Sequence, residues 1–164
     1  MNEPAEDTKD SKKASPVAMR NSARLMAVQA VYQMSVNRKE AAFVVDEYLF
    51  HRKGEVIDGE ELIAPDASLF TNIVLGVTER KEDLIGIIQS NRPQKKDEDS
   101  VSSALEPLLM AVALCGVYEL LAHKDVDAPI IISTYVDVTK AFFQGNEPGL
   151  INGLLDSARK VIRA

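Results

Sequence analysis

Leu105-Glu-Pro-Leu-Leu-Met-Ala-Val-Ala-Leu-Cys-Gly-Val-Tyr-Glu-Leu-Leu-Ala122 is the stretch on which the fold turns. It is too long for a single strand and hydrophobic nearly all round, the pattern of a helix buried at the centre of a domain. Ser102 or Ser103 supplies a hydroxyl to cap it. Its uninterrupted apolar run, Leu108 to Tyr118, is well short of the roughly 20 residues that cross a bilayer, so the helix is expected in a protein core.

On both sides the chain continues in helical periods. Ser15-Pro16 makes a helix start, a capping hydroxyl followed by a proline whose missing N–H is harmless in the first turn, and Ala23, Met26, Ala27, Ala30, Val31 and Met34 recur at three- and four-residue spacing beyond it. A second helix runs from Glu40 to His51 and stops before Gly54, and the acidic stretch around Asp58-Gly59 reads as loop. A third follows Pro65-Asp66 with Leu69, Phe70, Ile73, Val74 and Val77 on one side. Gly76 within that stripe costs about 1 kcal/mol relative to alanine in a helix, so a close packing contact is expected there. Leu84 to Ile88 form a fourth segment, and Arg92 to Ser100 read as a solvated linker.

After the central helix, Asp127-Ala-Pro129 separates it from Ile130 to Phe143. The opening Ile-Ile-Ile also fits a strand, but the segment is too long and lacks strict alternation, so it is read as helix. Gln144 to Gly149 reads as a turn. Leu150, Ile151, Leu154, Leu155, Ala158, Val161 and Ile162 trace a last amphipathic helix, with Arg159, Lys160 and Arg163 at its negative end. The expectation is an all-α protein of about seven helices. Residues 1–14 form a flexible tail and residues 15–164 one domain, with sub-bundles over about 15–91 and 101–164.

Bulk properties narrow the function. A formal charge of −6 and 46% hydrophobic residues describe an acidic globular chain, which argues against indiscriminate coating of nucleic acid. The single cysteine, Cys115, excludes an internal disulfide framework and suits a reducing compartment. The first residues lack the apolar core of a secretory signal, so the expected location is cytoplasmic. The two histidines, His51 and His123, stand at no metal-ligand spacing from each other or from Cys115, and phosphate-loop, nucleophile-elbow and HExxH patterns are missing. Cys115 sits in apolar sequence, where it reads as a small buried hydrophobe. The chain is expected to be no enzyme, with no cofactor and no metal.

One district differs. From Ser11 to Lys39 the chain carries Lys12, Lys13, Arg20, Arg24, Arg38 and Lys39 and no acid. Arg20 and Arg24 stand four apart, so they share a helix face and fit either a pair gripping successive phosphates or an ordinary solvated helix start. Tyr32 fits either a base-stacking platform or half-buried packing.

Arg24-Leu-Met-Ala-Val-Gln-Ala-Val-Tyr32 resembles the first-helix motif of the NusB family, an arginine-rich start followed by AVQALY. Phe70 to Val77 resembles its F-x-x-x-L-x-G-V, Tyr118-Glu-Leu120 its YEL, Ala128 to Ile132 the start of its second-half helix, and Leu150-Ile-Asn-Gly-Leu-Leu-Asp156 its FVNGVLD. The likeness covers residues from about 18 to 163. It is strongest to alphaproteobacterial members in the helix start, in His51 to Leu62 and in Ala141 to Pro148. The resemblance implies a compact helical fold of two packed sub-bundles. It also implies binding of the single-stranded boxA element of ribosomal RNA leaders together with NusE, a ribosomal small-subunit protein, and action on RNA polymerase and other Nus factors through that complex.

Carried over residue by residue, the resemblance assigns RNA contacts to Arg20, Arg24, Gln29, Tyr32, Asn146, Glu147 and Leu150, and partner contacts to Leu109 and Glu119; Lys12 and Lys13, in the tail before the resemblance begins, are expected to add RNA contacts of their own. This chain also departs from the family. Two basic positions are Asn21 and Ser22, which lowers the expected phosphate affinity. An acid and an arginine of the central helix are Leu109 and Leu114, and an Asn-Glu pair is Ser133-Thr134. Leu114 and Thr134 together are read as replacing a buried charge pair, since stranding one member costs roughly 3–5 kcal/mol. The alternative reading is a diverged protein-interaction module of the same fold with weak or no RNA binding.

Overall fold

A computed structural model describes residues 15–52, 56–57, 60–61, 64–92 and 105–164. The tail with Lys12 and Lys13, the Asp58-Gly59 stretch and most of the linker lie outside the described residues. Seven helices are seen: α1 (Pro16–Asn37), α2 (Ala41–Arg52), α3 (Ala67–Glu79), α4 (Lys81–Asn91), α5 (Pro107–Ala122), α6 (Ala128–Phe142) and α7 (Glu147–Ile162). The segment opening Ile-Ile-Ile is thus helical. Two strands of two residues each, β1 (Val56–Ile57) and β2 (Glu60–Glu61), pair antiparallel between α2 and α3, with Val56 opposite Glu61 and Ile57 opposite Glu60.

Capping explains where helices begin. Ser15 Oγ accepts from Ala18 N at 3.1 Å and Asp66 Oδ1 from Leu69 N at 3.0 Å, each satisfying an orphan donor of the first turn. The start of α5 corrects the expectation of a serine cap. Glu106 is the cap residue, its carboxylate oxygens accepting from Leu108 N at 3.3 Å and Leu109 N at 3.4 Å. Likewise α6 starts at Ala128 and α7 at Glu147, each with a proline in its first turn, so Pro129 and Pro148 lie inside helices that the sequence reading began two and three residues later.

The central position expected of α5 is borne out. It touches α1, α3, α4, α6 and α7, and all its residues from Ala111 to Leu120 are buried. Helix α1 packs chiefly on α3 and α5, and α6 on α7 and α5. Helix α4 lies on α5 and α7 with only a light touch on α3. Two glycines permit close approaches between helices. A Cβ on Gly76 of α3 would collide with the Tyr118 ring of α5, and one on Gly116 of α5 would come within 2.9 Å of both Leu155 methyl carbons of α7. The close contact expected at Gly76 is the Tyr118 ring.

The C-terminal end of α5 is held from α7. The Arg163 guanidinium donates to the carbonyls of Leu120 at 3.0 Å, Val126 at 2.8 Å and His123 at 2.9 Å. A cation thereby satisfies one carbonyl in the last turn of α5 and two in the turn that follows it. Leu114 is buried, and the Thr134 hydroxyl donates to Ile130 O at 2.7 Å within its own helix, so neither departure leaves a stranded charge.

Candidate nucleic-acid interface

Helix α1 carries four of the candidate residues, Arg20, Arg24, Gln29 and Tyr32, and an advance of about 100° per residue sorts them into faces. Arg20 and Arg24 stand only about 40° apart on that wheel, yet they end in different media. Arg20, one turn from the helix start, is exposed. Arg24, at 3% exposure, is buried and points into the domain. Its Nε donates to Glu119 Oε2 at 2.8 Å and its Nη2 to Glu119 Oε1 at 3.1 Å, a two-point fork across 95 residues of chain, while Nη1 reaches Asn21 Oδ1 at 3.4 Å. Of the expected pair of phosphate grips, Arg24 is corrected to a buried position whose donors are directed at a carboxylate, and only Arg20 is exposed.

Glu119 is itself 0% exposed. Besides Arg24 it accepts from the Tyr135 hydroxyl and from His123 Nδ1 at 3.0 Å, and the other ring nitrogen of His123 lies 2.8 Å from Asn72 Oδ1. The Tyr118 hydroxyl donates to the same Asn72 oxygen at 2.9 Å. Burial alone would raise the Glu119 carboxyl, but hydrogen bonds from His123, Arg24 and Tyr135 and the Arg24 charge outweigh it and hold it below its ordinary value. Burial, then the Glu119 charge, push the Tyr135 hydroxyl well above its own. Burial likewise keeps the Cys115 thiol protonated, the form that is a poor nucleophile.

The outward face of α1 carries Gln29 and Tyr32. Gln29 is half-buried and Tyr32 is 37% exposed. On the wheel their face runs back to Leu25, Ser22 and Asn21, and Arg20 lies about 120° from Tyr32 and about 180° from Gln29. The two basic positions lost to Asn21 and Ser22 thus lie toward the same side of the helix as Tyr32, about three turns nearer its start. Asn146, Glu147 and Leu150 sit at the start of α7, which packs on α4, α5 and α6 and not on α1. Asn146 is exposed, the Glu147 carboxylate takes the Gly145 N–H at 3.0 Å, and Leu150 packs half-buried against the core.

Neither partner candidate faces solvent. Leu109 is 4% exposed and Glu119 is the acceptor described above, so both assignments are corrected to core positions. A hollow beside α2 exposes Phe43 and Phe50 but is also lined by Asp46 and Glu47, whose charges disfavour phosphate. Among the described residues no cluster of three or more potential metal ligands occurs, and no helix is long and apolar enough to cross a membrane.

Residues 21–160 match the NusB family. The chain belongs to that family. The transcription antitermination protein NusB of Sinorhizobium medicae is 40% identical over 147 residues, covering 90% of this chain and 89% of that protein. Its counterpart from Agrobacterium fabrum is 37% identical over 148 residues, covering 90% and 87%. The structure of T. maritima NusB superposes with a TM-score of 0.67 at 20% identity, covering 86% of this chain and 90% of that one, which shows the shared fold. NusB-family proteins are non-enzymatic RNA-binding regulators, in keeping with the sequence reading.

The buried pair carried signals in the sequence. Glu119 is the one charged residue of α5, and a lone acid in an apolar helix demands a buried counter-charge. Arg24, Ala27, Val28 and Val31 are themselves spaced as one stripe, which places Arg24 among buried positions.

Proposed function

We propose that this chain is a transcription antitermination factor that binds the single-stranded boxA element of ribosomal RNA leaders together with NusE and so supports ribosomal RNA transcription. The observation that carries this reading is membership of the NusB family, with relatives named transcription antitermination proteins about 40% identical across nine-tenths of the chain. The exposed face of α1 supports it. Tyr32 offers a ring on which an unstacked base can lie and Gln29 an amide that pairs with base edges, while Arg20 and the tail lysines Lys12 and Lys13 supply positive charge. Asn146 adds a polar contact at the start of α7. An adaptor with few cations reaches useful affinity when a second protein binds the same strand, because the second contact is then intramolecular.

Titration of a boxA RNA with and without NusE, over a series of salt concentrations, tests this. Binding is expected to be weak alone and tighter with NusE. Tyr32→Ala should weaken it by about 1–3 kcal/mol, the usual worth of a base–aromatic stack. Arg20→Ala should lower the slope of log K against log salt by about 0.7. No binding with or without NusE rejects the reading. The second reading, a protein-interaction module of the same fold with weak or no RNA binding, draws support from the sequestered Arg24 and the uncharged Asn21 and Ser22, and that same outcome would favour it.

A further inference from the structure

Glu119 collects donors from three directions: the Arg24 fork on α1, the Tyr135 hydroxyl on α6 and the His123 ring just past the end of α5. Both charges are buried, Arg24 at 3% and Glu119 at 0% exposure. A buried ion pair is weak grounds for stability, because hydrophobic residues of equal volume serve as well, but its directional geometry selects one register among several that apolar packing tolerates. Helix α1 needs such a device. Apart from Met26, the apolar residues it buries are small, Ala23, Ala27, Val28, Ala30 and Val31, and a face made mostly of alanine and valine resists sliding and rotation only weakly. A rotation of α1 by one position, about 100°, would carry Tyr32 and Gln29 off their present face.

We propose that Arg24, Glu119 and Tyr135 are positioning residues that set the rotation and axial register of α1, and so the direction in which the Gln29–Tyr32 face meets an RNA strand. Arg24 then acts on RNA through Tyr32 and touches no phosphate. This inference rests on the RNA-binding reading for its consequence but not for the register itself.

The test replaces the triad by apolar residues of similar shape, Arg24→Met, Glu119→Leu and Tyr135→Phe together, beside Tyr135→Phe alone and a core control, Val77→Ala, in α3. Measured are the melting temperature, boxA affinity with NusE across a salt series, and amide hydrogen exchange of residues 25–36 against residues 108–117. The triple variant is expected to melt at or above the parent. It should bind RNA about tenfold or more weakly, as a small misplacement of a contacting group does, with the salt slope unchanged and exchange faster in residues 25–36 only. Tyr135→Phe, which keeps the ion pair, should show the same changes at smaller amplitude, and this holds even should the triple variant fail to fold. The control should bind RNA like the parent.

Parental affinity together with parental exchange in the triple variant overturns the proposal, as does an equal loss of affinity in the control. A slope lowered by about 0.7 assigns Arg24 to a phosphate instead and equally overturns it. Should the parent bind no RNA, the functional reading fails, and the exchange comparison alone decides the register: faster exchange confined to residues 25–36 supports it and unchanged exchange overturns it.

Discussion

Gly76 and Gly86 sit in neighbouring helices, and alanine at each should act in opposite directions. At Gly86, exposed on α4, a Cβ would meet nothing within 4 Å, so Gly86→Ala should stabilise by about 0.5–1 kcal/mol through the lower entropy of its unfolded chain. At Gly76 the Cβ would collide with the Tyr118 ring, and Gly76→Ala should destabilise by roughly 1–3 kcal/mol despite alanine's better helix propensity. Urea midpoints of the two variants check both signs, and a gain at Gly76 would contradict the contact. Glu119 makes a further test. Its folded value lies below the ordinary 4.5, so the stability it contributes is fully present above that value and is lost as the pH falls through the folded one. The parent's stability should therefore drop in acid more steeply than that of Glu119→Gln, and parallel acid limbs in denaturant titrations would refute the linkage. At neutral pH the same variant should be the less stable one, because it leaves Arg24 buried without a counter-charge, at a cost of several kcal/mol.

The helices themselves were largely visible in their periods, since a stripe at three- and four-residue spacing records only which residues avoid water. Their starts were less so, and the reason is proline. In α1, α5, α6 and α7 a proline stands in the first turn, where its missing N–H has no bond to lose. Pro16 reads correctly as a beginning because Ser15 precedes it. Pro129 and Pro148 read as breakers because the neighbouring residues also form turns. The site was less visible than the fold, because two arginines four apart are equivalent on a wheel until the depth of each is known, and depth depends on Glu119 far along the chain. The end of α5 offers a check on element closure. Arg163→Ala removes three donors from carbonyls and should destabilise by about 1.5–3 kcal/mol, the range for bonds to a charged group. Arg163→Lys, with one ammonium in place of the fork, should recover only part of that in thermal melts.

Taken together, the domain joins an acidic chain to a narrow polar and aromatic face, and few phosphates can be neutralised at once. Its binding to a single strand should accordingly show a shallow salt dependence, about −0.7 per phosphate contacted, or roughly −2 for Arg20 with Lys12 and Lys13. A slope several times steeper would reveal a basic surface other than α1. Helix α5 packs on five other helices, more than any other element does, so the first half of the chain is not expected to be self-sufficient. Residues 15–92 alone should show little cooperative melting by circular dichroism, since they contain Arg24 without the carboxylate that neutralises it.

The Arg24–Glu119 fork also has a meaning in time. Its partners are 95 residues apart, and at a ribosomal pace of about 5–20 residues per second the guanidinium waits roughly 5–20 s for its carboxylate. During synthesis α1 keeps that charge in water, and premature docking of its alanine-rich face would have to drag an unpaired cation out of solvent. Closure of the N-terminal helices around Arg24 is therefore expected only after the segment at the centre of the fold has left the ribosome.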